Sequence, residues 1–454
     1  MISISKHTGE VRSPQQERFR FYSVLAALAV FNLWHSHAMG LCHDEAYYWV
    51  YSRFLAWGYF DHPPAVAAAV ALGYSVFANE LGVRLVFIAM ELGAITLMWG
   101  MTNRRDALLF WALVLSMPLL QVGGTLALPD MPLVFFAVLF LVAVRRYLED
   151  DGLVPALAVS LCAVLMLYSK YHGLLVIAFT LAAAPGLMRR KSFWIAAVVA
   201  VLLFLPHLAW QVQHDFVSVR FQLNRAPDWF NTGLILEYVV GQVGSAGLFS
   251  GLILFYVLIF KFQATDTFGR VLKFNAAGIL AFFLAMSLKG KVEANWTQAA
   301  FAPLVIIGHA YLQHTRRLRK WTMWLALIPI AAIFAVRLLF VFPPADSHAL
   351  RRVYEFHDWK EITASIERYA GDLPIVATTY PHASSISFYS GQIVPAINLG
   401  SRDNQFTLWN LESGLLDKEV CLVSAAEIPG AYRIETRQGD RLYLIRGMTV
   451  AEIK

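Results

Sequence analysis

The sequence predicts a polytopic α-helical membrane protein that ends in a small α/β domain. The first reason is composition. Of 454 residues, 58% are hydrophobic and only 15% charged, with a mean hydropathy of +0.54. Multiple membrane spans produce such values and soluble domains rarely do. The second is the recurrence of long apolar runs separated by short basic clusters. The third is a change near residue 343, where "FPPAD" breaks the last run and the remainder reads as soluble.

A spanning helix needs roughly 20 apolar residues, with about 17 tolerable. The runs that qualify are 21–41, 82–102, 106–124, 126–144, 153–169, 172–188, 193–210, 233–260, 271–288, 296–313 and 321–342, about eleven spans. The basic clusters at 104–105, 145–146, 189–191 and 316–320 fall on alternate loops, as does the N-terminal tail with Lys6, Arg12, Arg18 and Arg20. Positive charge collects on the cytoplasmic side, so the N-terminus is expected there. No small-residue cleavage site follows the tail, and the first run reads as an uncleaved anchor. The apolar stretch 63–78 is short, and a span there would invert every later cluster. It is expected to lie in the interface or re-enter the membrane, so that residues 41–81 form one long external loop. The net charge of +6 is dispersed among these clusters, the pattern of membrane topology and not of a nucleic-acid face.

The stretch 241–251, "GQVGSAGLFSG", carries small residues at helix-packing spacing and matches no phosphate loop. Residues 1–342 thus form the membrane domain and 343–454 a soluble one. An odd number of spans puts the latter in the periplasm. Within it, "DWKEITASIERYAG" has helical periodicity, "LPIVATTY" reads as a strand, and "HASSISFYSG" reads as a second helix ending at Gly391. Cys42, Cys162 and Cys421 have neither metal-ligand nor redox spacing.

Unusual polar residues collect on the outer face. They are His43, Asp44 and Glu45; Asp61 and His62; Asp130; Lys170, Tyr171 and His172; His214, Asp215, Arg220 and Arg225; and Lys289, Lys291, Glu293, Asn295 and Trp296. Ionisable groups at membrane depth are costly and usually line a cavity or pathway. Each also has a plainer reading. Tyr47, Tyr48 and Trp49 suit an interfacial aromatic belt. Asp130 can cap the helix that Met131 begins. Lys170 can snorkel, or pair with Asp130 or Glu293. Arg337, inside the last run, can pair with a buried acid or meet a lipid phosphate. On a helix Asp44 and Glu45 point about 100° apart, so they cannot serve one reacting atom. One base plus several cations suits transfer from a sugar joined to a lipid phosphate, whose leaving group needs no acid. It suits paired-carboxylate glycoside hydrolysis less.

The motifs "DEAYYW" (44–49), "GYFDHPP" (58–64), "GVRL" (82–85) and "PDMPLVFF" (129–136) resemble those of the polyprenyl-phosphate-dependent glycosyltransferases of the C-type fold. Within them the chain resembles the protein mannosyltransferase and lipid A aminoarabinose transferase group. "YSKYHGLL" (168–175) and "KGKVEANW" (289–296) are similar to motifs of its bacterial members. The resemblance runs from about residue 40 to about 300. It implies that Asp44 is the catalytic base and that Asp61 binds metal or substrate, a divalent cation being the one candidate cofactor. His62 stands where the aminoarabinose enzymes carry Lys.

The activity implied is inverting transfer of a sugar from a polyprenyl phosphate, undecaprenyl phosphate in a bacterial inner membrane, to a lipid, glycan or protein acceptor on the periplasmic face. Lys170, Lys289, Arg84 and Arg337 are expected around the phosphate. Glu45, Asp61, His62, Asp130, Tyr171, His172, Glu293, Asn295 and Trp296 are expected to line the pocket. A transporter or flippase, or a non-catalytic envelope-assembly subunit, would carry similar charges. Against transport, no inverted repeat is visible and the polar groups gather on one side.

Overall fold

The computed structural model describes residues 13–223, 232–344, 351–399, 402–436 and 441–453. Lys6, Arg12 and Arg225 lie outside these. Helix α1 (Pro14–Ala38) starts at Ser13 with a capping box closed by Gln16. It turns by 88° into α2 (His43–Arg53). The short α3 (Ala65–Tyr74) occupies the stretch expected not to span; its ten residues reach about half of a bilayer core. Then come α4 (Glu80–Met101), α5 (Ala107–Leu115), α6 (Pro118–Gly123), α7 (Asp130–Glu149), α8 (Leu153–Ser169), α9 (Gly173–Ala183), α10 (Lys191–Gln213) and α11 (Val217–Leu223). Beyond these lie α12 (Gly233–Ser245), α13 (Phe249–Tyr256, continued by a π turn to Lys261), α14 (Thr267–Met286), α15 (Phe301–Leu312) and α16 (Arg316–Val341).

Every apolar run contains helix, but the runs are not eleven unbroken spans. Among the described residues five helices, α4, α7, α10, α14 and α16, are long and apolar enough to cross a membrane. The number rises to seven if the bent pairs α1–α2 and α12–α13 each count as one span. The run 106–124 breaks at Met117 before Pro118, and 233–260 bends by 103°. These two breaks meet. Gly247 has φ +95, and a Cβ there would come within 2.5 Å of the Ser116 carbonyl oxygen. Ser250 Oγ donates to Ser116 Oγ at 3.0 Å. Gly247, Ser250 and Gly251 of the stretch 241–251 are therefore closely packed, whereas Gly241 and Gly244 face open space.

Helices α10 and α16 turn large apolar side chains outward. Val198, Leu202 and Trp324 are 59%, 57% and 63% exposed. A lipid-facing surface is built this way, and on a water-soluble protein it would be an aggregation site. At one end of the bundle, Asp106 pairs with Arg319, Asn103 bonds Gln313, and Arg190 bonds the carbonyl of Leu148, all among the basic clusters. At the other end gather the starts of α2 and α7 and the ends of α8 and α14.

After α16 come α17 (Arg351–Tyr354), α18 (Trp359–Ala370), β1 (Ile375–Ala377), α19 (Tyr380–Ser390), α20 (Gln405–Trp409), β2 (Glu419–Ser424), β3 (Tyr432–Glu435) and β4 (Arg441–Thr449). The sheet order is β1-β2-β4-β3, with β1 parallel to β2 and the other pairs antiparallel. Both expected helices and the expected strand form here. Gly371 and Gly391 end α18 and α19 at φ +61 and +72, conformations that favour glycine. This region sits on α2. The backbone N–H of Gly40 donates to the Phe356 carbonyl (3.0 Å), that of Leu41 to the Tyr389 hydroxyl (3.0 Å), and that of His43 to Glu355 Oε1 (2.8 Å).

Candidate active site

The site is built around α2. Arg84 on α4 fixes the sharp turn that leads into it. Its guanidinium donates to the carbonyls of Ser36 (2.9 Å), Met39 (2.7 Å) and Gly40 (2.6 Å), and to both oxygens of Glu45 (2.7 and 2.6 Å). These bonds cap orphan carbonyls at the end of α1 with a cation, where the helix dipole favours one. Glu45 also accepts the backbone N–H of Cys42 and of Ala127. Both side chains are fully buried. Glu45 and Arg84, expected in the binding pocket, are therefore corrected to a buried clamp. Their donors and acceptors are consumed inside the protein, and no surface remains to meet substrate.

Asp44, one residue earlier, points the other way. It is solvent-exposed, and among the described residues its carboxylate makes no hydrogen bond or ion pair. Protein atoms nonetheless crowd around it and strip much of its hydration. That burial, reinforced by the negative charges of Glu355, Asp61 and Glu45 and opposed by Arg402, pushes its carboxyl up to about 6. Such an acid remains a base at neutral pH and is a stronger one than a free aspartate.

Asp61 is 5% exposed and fully engaged. The hydroxyls of Tyr47 and Tyr51 donate to its Oδ2 at 2.9 and 3.1 Å, and Arg402 donates to its Oδ1 at 3.0 Å. Tyr47, Tyr48 and Trp49 are thus not an interfacial belt: they are 2%, 6% and 3% exposed, and Tyr47 holds Asp61. His62 lies beside the Tyr48 ring, with centroids 5.7 Å apart. No group of three or more His, Cys, Asp or Glu side chains among the described residues could hold a metal ion. With an arginine and two hydroxyls on its oxygens, Asp61 does not fit a metal-ligand role in this arrangement.

The second half of the site is the start of α7. Lys170 Nζ donates to Asp130 Oδ1 at 2.7 Å, and Asn295 Nδ2 donates to Asp130 Oδ2 at 3.0 Å. Lys170 is 7% exposed and Asp130 5%. Three residues far apart in sequence thus converge, and Asp130 is the acid that answers Lys170. Glu293 is instead 3.6 Å from Lys291, with its side chain 48% exposed. The Trp296 ring lies tilted against His172 at 5.5 Å and Phe283 at 5.9 Å. Tyr171 bonds His207 Nε2 (3.0 Å) and accepts from Gln211 (2.9 Å), a network that Ser218 continues to the Tyr59 carbonyl beneath Asp61. Lys289 is exposed on the turn after α14.

Arg337 is buried inside the bundle. It donates to Asn32 Oδ1 (2.6 Å), whose Nδ2 donates to Glu91 Oε2 (2.6 Å), and it lies 4.5 Å from the Phe31 ring. This buried group ties α1, α4 and α16 together, while Arg337 Nε and Nη1 meet no hydrogen-bond partner among the described residues.

Sequence reasoning missed the contributors from the C-terminal region. Arg402 meets Asp61, the Tyr380 ring lies tilted against Tyr47 at 4.8 Å, the charge of Glu355 acts on Asp44, and Gln405 accepts from the Phe60 N–H at 2.7 Å. Nothing local in "SRDNQF" marks such a role, because its partners lie more than 300 residues away.

Known proteins share this arrangement in part. Residues 61–210 match the family model of dolichyl-phosphate-mannose-protein mannosyltransferases. A lipid A galacturonosyltransferase of Rhizobium johnstonii, RgtD, is 25% identical over 321 residues, covering 65% of this chain and 67% of that one. ArnT from Cupriavidus metallidurans in the apo state superposes with a TM-score of 0.69 at 14% identity, over 95% of this chain and 98% of that chain. The same protein bound to undecaprenyl phosphate gives 0.67 at 14% identity, over 94% and 98%. The archaeal oligosaccharyltransferase AglB of Archaeoglobus fulgidus gives 0.51 at 12% identity, over 90% and 70%. Helical order, motifs and these similarities agree: the chain is a glycosyltransferase with the ArnT-like C-type fold, similar over residues 61–210 to the protein mannosyltransferases.

Proposed function

We propose that this glycosyltransferase takes a sugar from a polyprenyl phosphate, undecaprenyl phosphate in a bacterial inner membrane, and passes it with inversion to an acceptor hydroxyl on the periplasmic face. The observation that carries this reading is the unpaired Asp44. It sits at the head of α2, raised to about 6, on the same end of the bundle as the Lys170–Asp130–Asn295 cluster. Asp44 takes the proton of the acceptor hydroxyl as its oxygen attacks the anomeric carbon. The carbon–oxygen bond to the lipid phosphate breaks, and the phosphate leaves with both electrons. That group is a weak base, so it needs cations and no proton donor. An ammonium has three donors and Asp130 takes one, so Lys170 has capacity for a phosphate oxygen. Lys289 stands on the same end of the bundle.

The acceptor proposed is a lipid A-like envelope lipid. The galacturonosyltransferase relative is named for lipid A, and the ArnT match in the undecaprenyl-phosphate-bound state supports the donor class. The alternation of basic clusters supports a periplasmic location for the site and for the C-terminal domain (343–454). An alkaline phosphatase fused after Ile453 should be active there, and a silent fusion at normal expression would reverse the sidedness. The function itself is tested by mass spectrometry of lipid-linked sugars and envelope lipids in a deletion strain. The expected result is accumulation of one polyprenyl-phosphate sugar together with loss of that sugar from one envelope lipid. Unchanged pools of both would refute it.

A further inference from the structure

Asp61 is the residue at which the family resemblance implies a metal, and its oxygens are already answered. Tyr47 and Tyr51 donate to one oxygen and Arg402 to the other. Arg402 is held in place from several directions. Its guanidinium lies 4.7 Å from the Phe221 ring and 5.5 Å from the Tyr380 ring. Asn404 Nδ2 donates to its backbone carbonyl at 3.1 Å, and the next residue, Gln405, donates its N–H to Tyr47 at 2.8 Å. The other side of the guanidinium remains open. The side chain is 47% exposed and lines a cavity of about 510 Å³ with Phe60, His214, Arg220 and Phe221.

A guanidinium stays charged at every accessible pH, and its fork can bond a carboxylate with one edge and a phosphate oxygen with another. A divalent ion entering at Asp61 would have to displace Arg402 and both tyrosines, and no third carboxylate or imidazole is grouped there among the described residues to complete its shell. We propose that Arg402, delivered by the C-terminal domain, is the resident cation beside Asp61, so that the enzyme keeps the charge balance of its site without a divalent metal and only with that domain docked. Arg402 is then a positioning residue. It fixes Asp61, offsets its charge next to Asp44, and makes the C-terminal domain part of the transfer site.

The inference rests on the transferase reading, so its test has one arm that needs no turnover. Full-length protein in nanodiscs, stripped with EDTA, is titrated with Mn²⁺ and followed by electron paramagnetic resonance. Wild type is expected to take up no stoichiometric Mn²⁺ at micromolar concentrations, and one tightly held ion at Asp61 would overturn the proposal whatever the enzyme transfers. The kinetic arm compares sugar transfer before and after chelation, then the variants Arg402→Met and Arg402→Lys. Chelated wild type should keep its rate to within about twofold, Arg402→Met should lose about tenfold or more in kcat at a near-normal melting temperature, and Arg402→Lys should recover part of that loss. Chelation that abolishes transfer until metal is returned, or an Arg402→Met enzyme whose folded fraction keeps wild-type kcat and KM, would refute the assignment. If wild type transfers no sugar from any polyprenyl-phosphate donor, the transferase reading fails, while the Mn²⁺ titration still decides between guanidinium and metal.

Discussion

At the end of the bundle that carries the basic clusters, Asp106 caps α5 and Arg319 donates to both of its oxygens, one bond measuring 2.8 Å. The arginine outweighs the cost of burial and holds the Asp106 carboxyl below its ordinary range. At the opposite end Asp44 has acids for neighbours and no cation bonded to it, and its carboxyl rises to about 6. Both residues lie next to apolar helices, and both are in or beside the first turn of one. What separates them is the partner. A paired acid joins elements and becomes chemically quiet, while an acid left unpaired among other acids stays a base. Within α2 the same contrast is compressed into two adjacent residues, since Glu45 is spent in the Arg84 clamp and Asp44 is not.

Removing the unpaired acid should have the largest effect. Asp44→Asn keeps the shape and deletes the proton acceptor, so turnover should fall by about 100- to 10,000-fold in a protein with wild-type expression and melting temperature. Near-normal turnover would place the base elsewhere. Breaking the paired acid should do the reverse. Glu45→Gln leaves the Arg84 charge buried without its counter-ion, which typically costs about 3–5 kcal/mol of stability. The folded fraction should retain turnover; a stable Glu45→Gln protein that has lost turnover would move Glu45 into the chemistry. Lys170→Met sharpens the comparison, because Lys170 has an acid partner and a proposed phosphate at once. Donor affinity or turnover should drop by about tenfold, about 1.4 kcal/mol. A lower melting temperature with unchanged kinetics would mean that Lys170 only answers Asp130.

Much of the fold was legible because its signals are local. Apolar run length, basic clusters and terminal glycines located the membrane helices, α18, α19 and β1. The breaks were not legible, since the bend at Gly247 depends on its approach to Ser116, more than a hundred residues earlier. At the site, the 100° separation of Asp44 and Glu45 follows from helix geometry, whereas which of them faces inward depends on Arg84. The pairing of Lys170 with Asp130 was one of the alternatives the turn "YSKYHG" left open. Arg337 and Arg84 look like phosphate ligands in sequence because a charge in an apolar run gives no clue to its partner. Arg402 had no signal at all, because its contact with Asp61 joins positions 341 residues apart in sequence.

The pH dependence of kcat/KM for wild type and Asp44→Asn, measured side by side on folded protein, tests the assignment of the base most directly. Asp44 must be ionised to accept a proton, and its carboxyl is raised to about 6. The wild-type rate should therefore be full near pH 7.5 and fall as pH drops through about 6, with the free-enzyme value governing kcat/KM. The residual rate of Asp44→Asn should lack this limb. A wild-type profile flat to well below pH 5, or an identical acid limb in Asp44→Asn, would contradict the account.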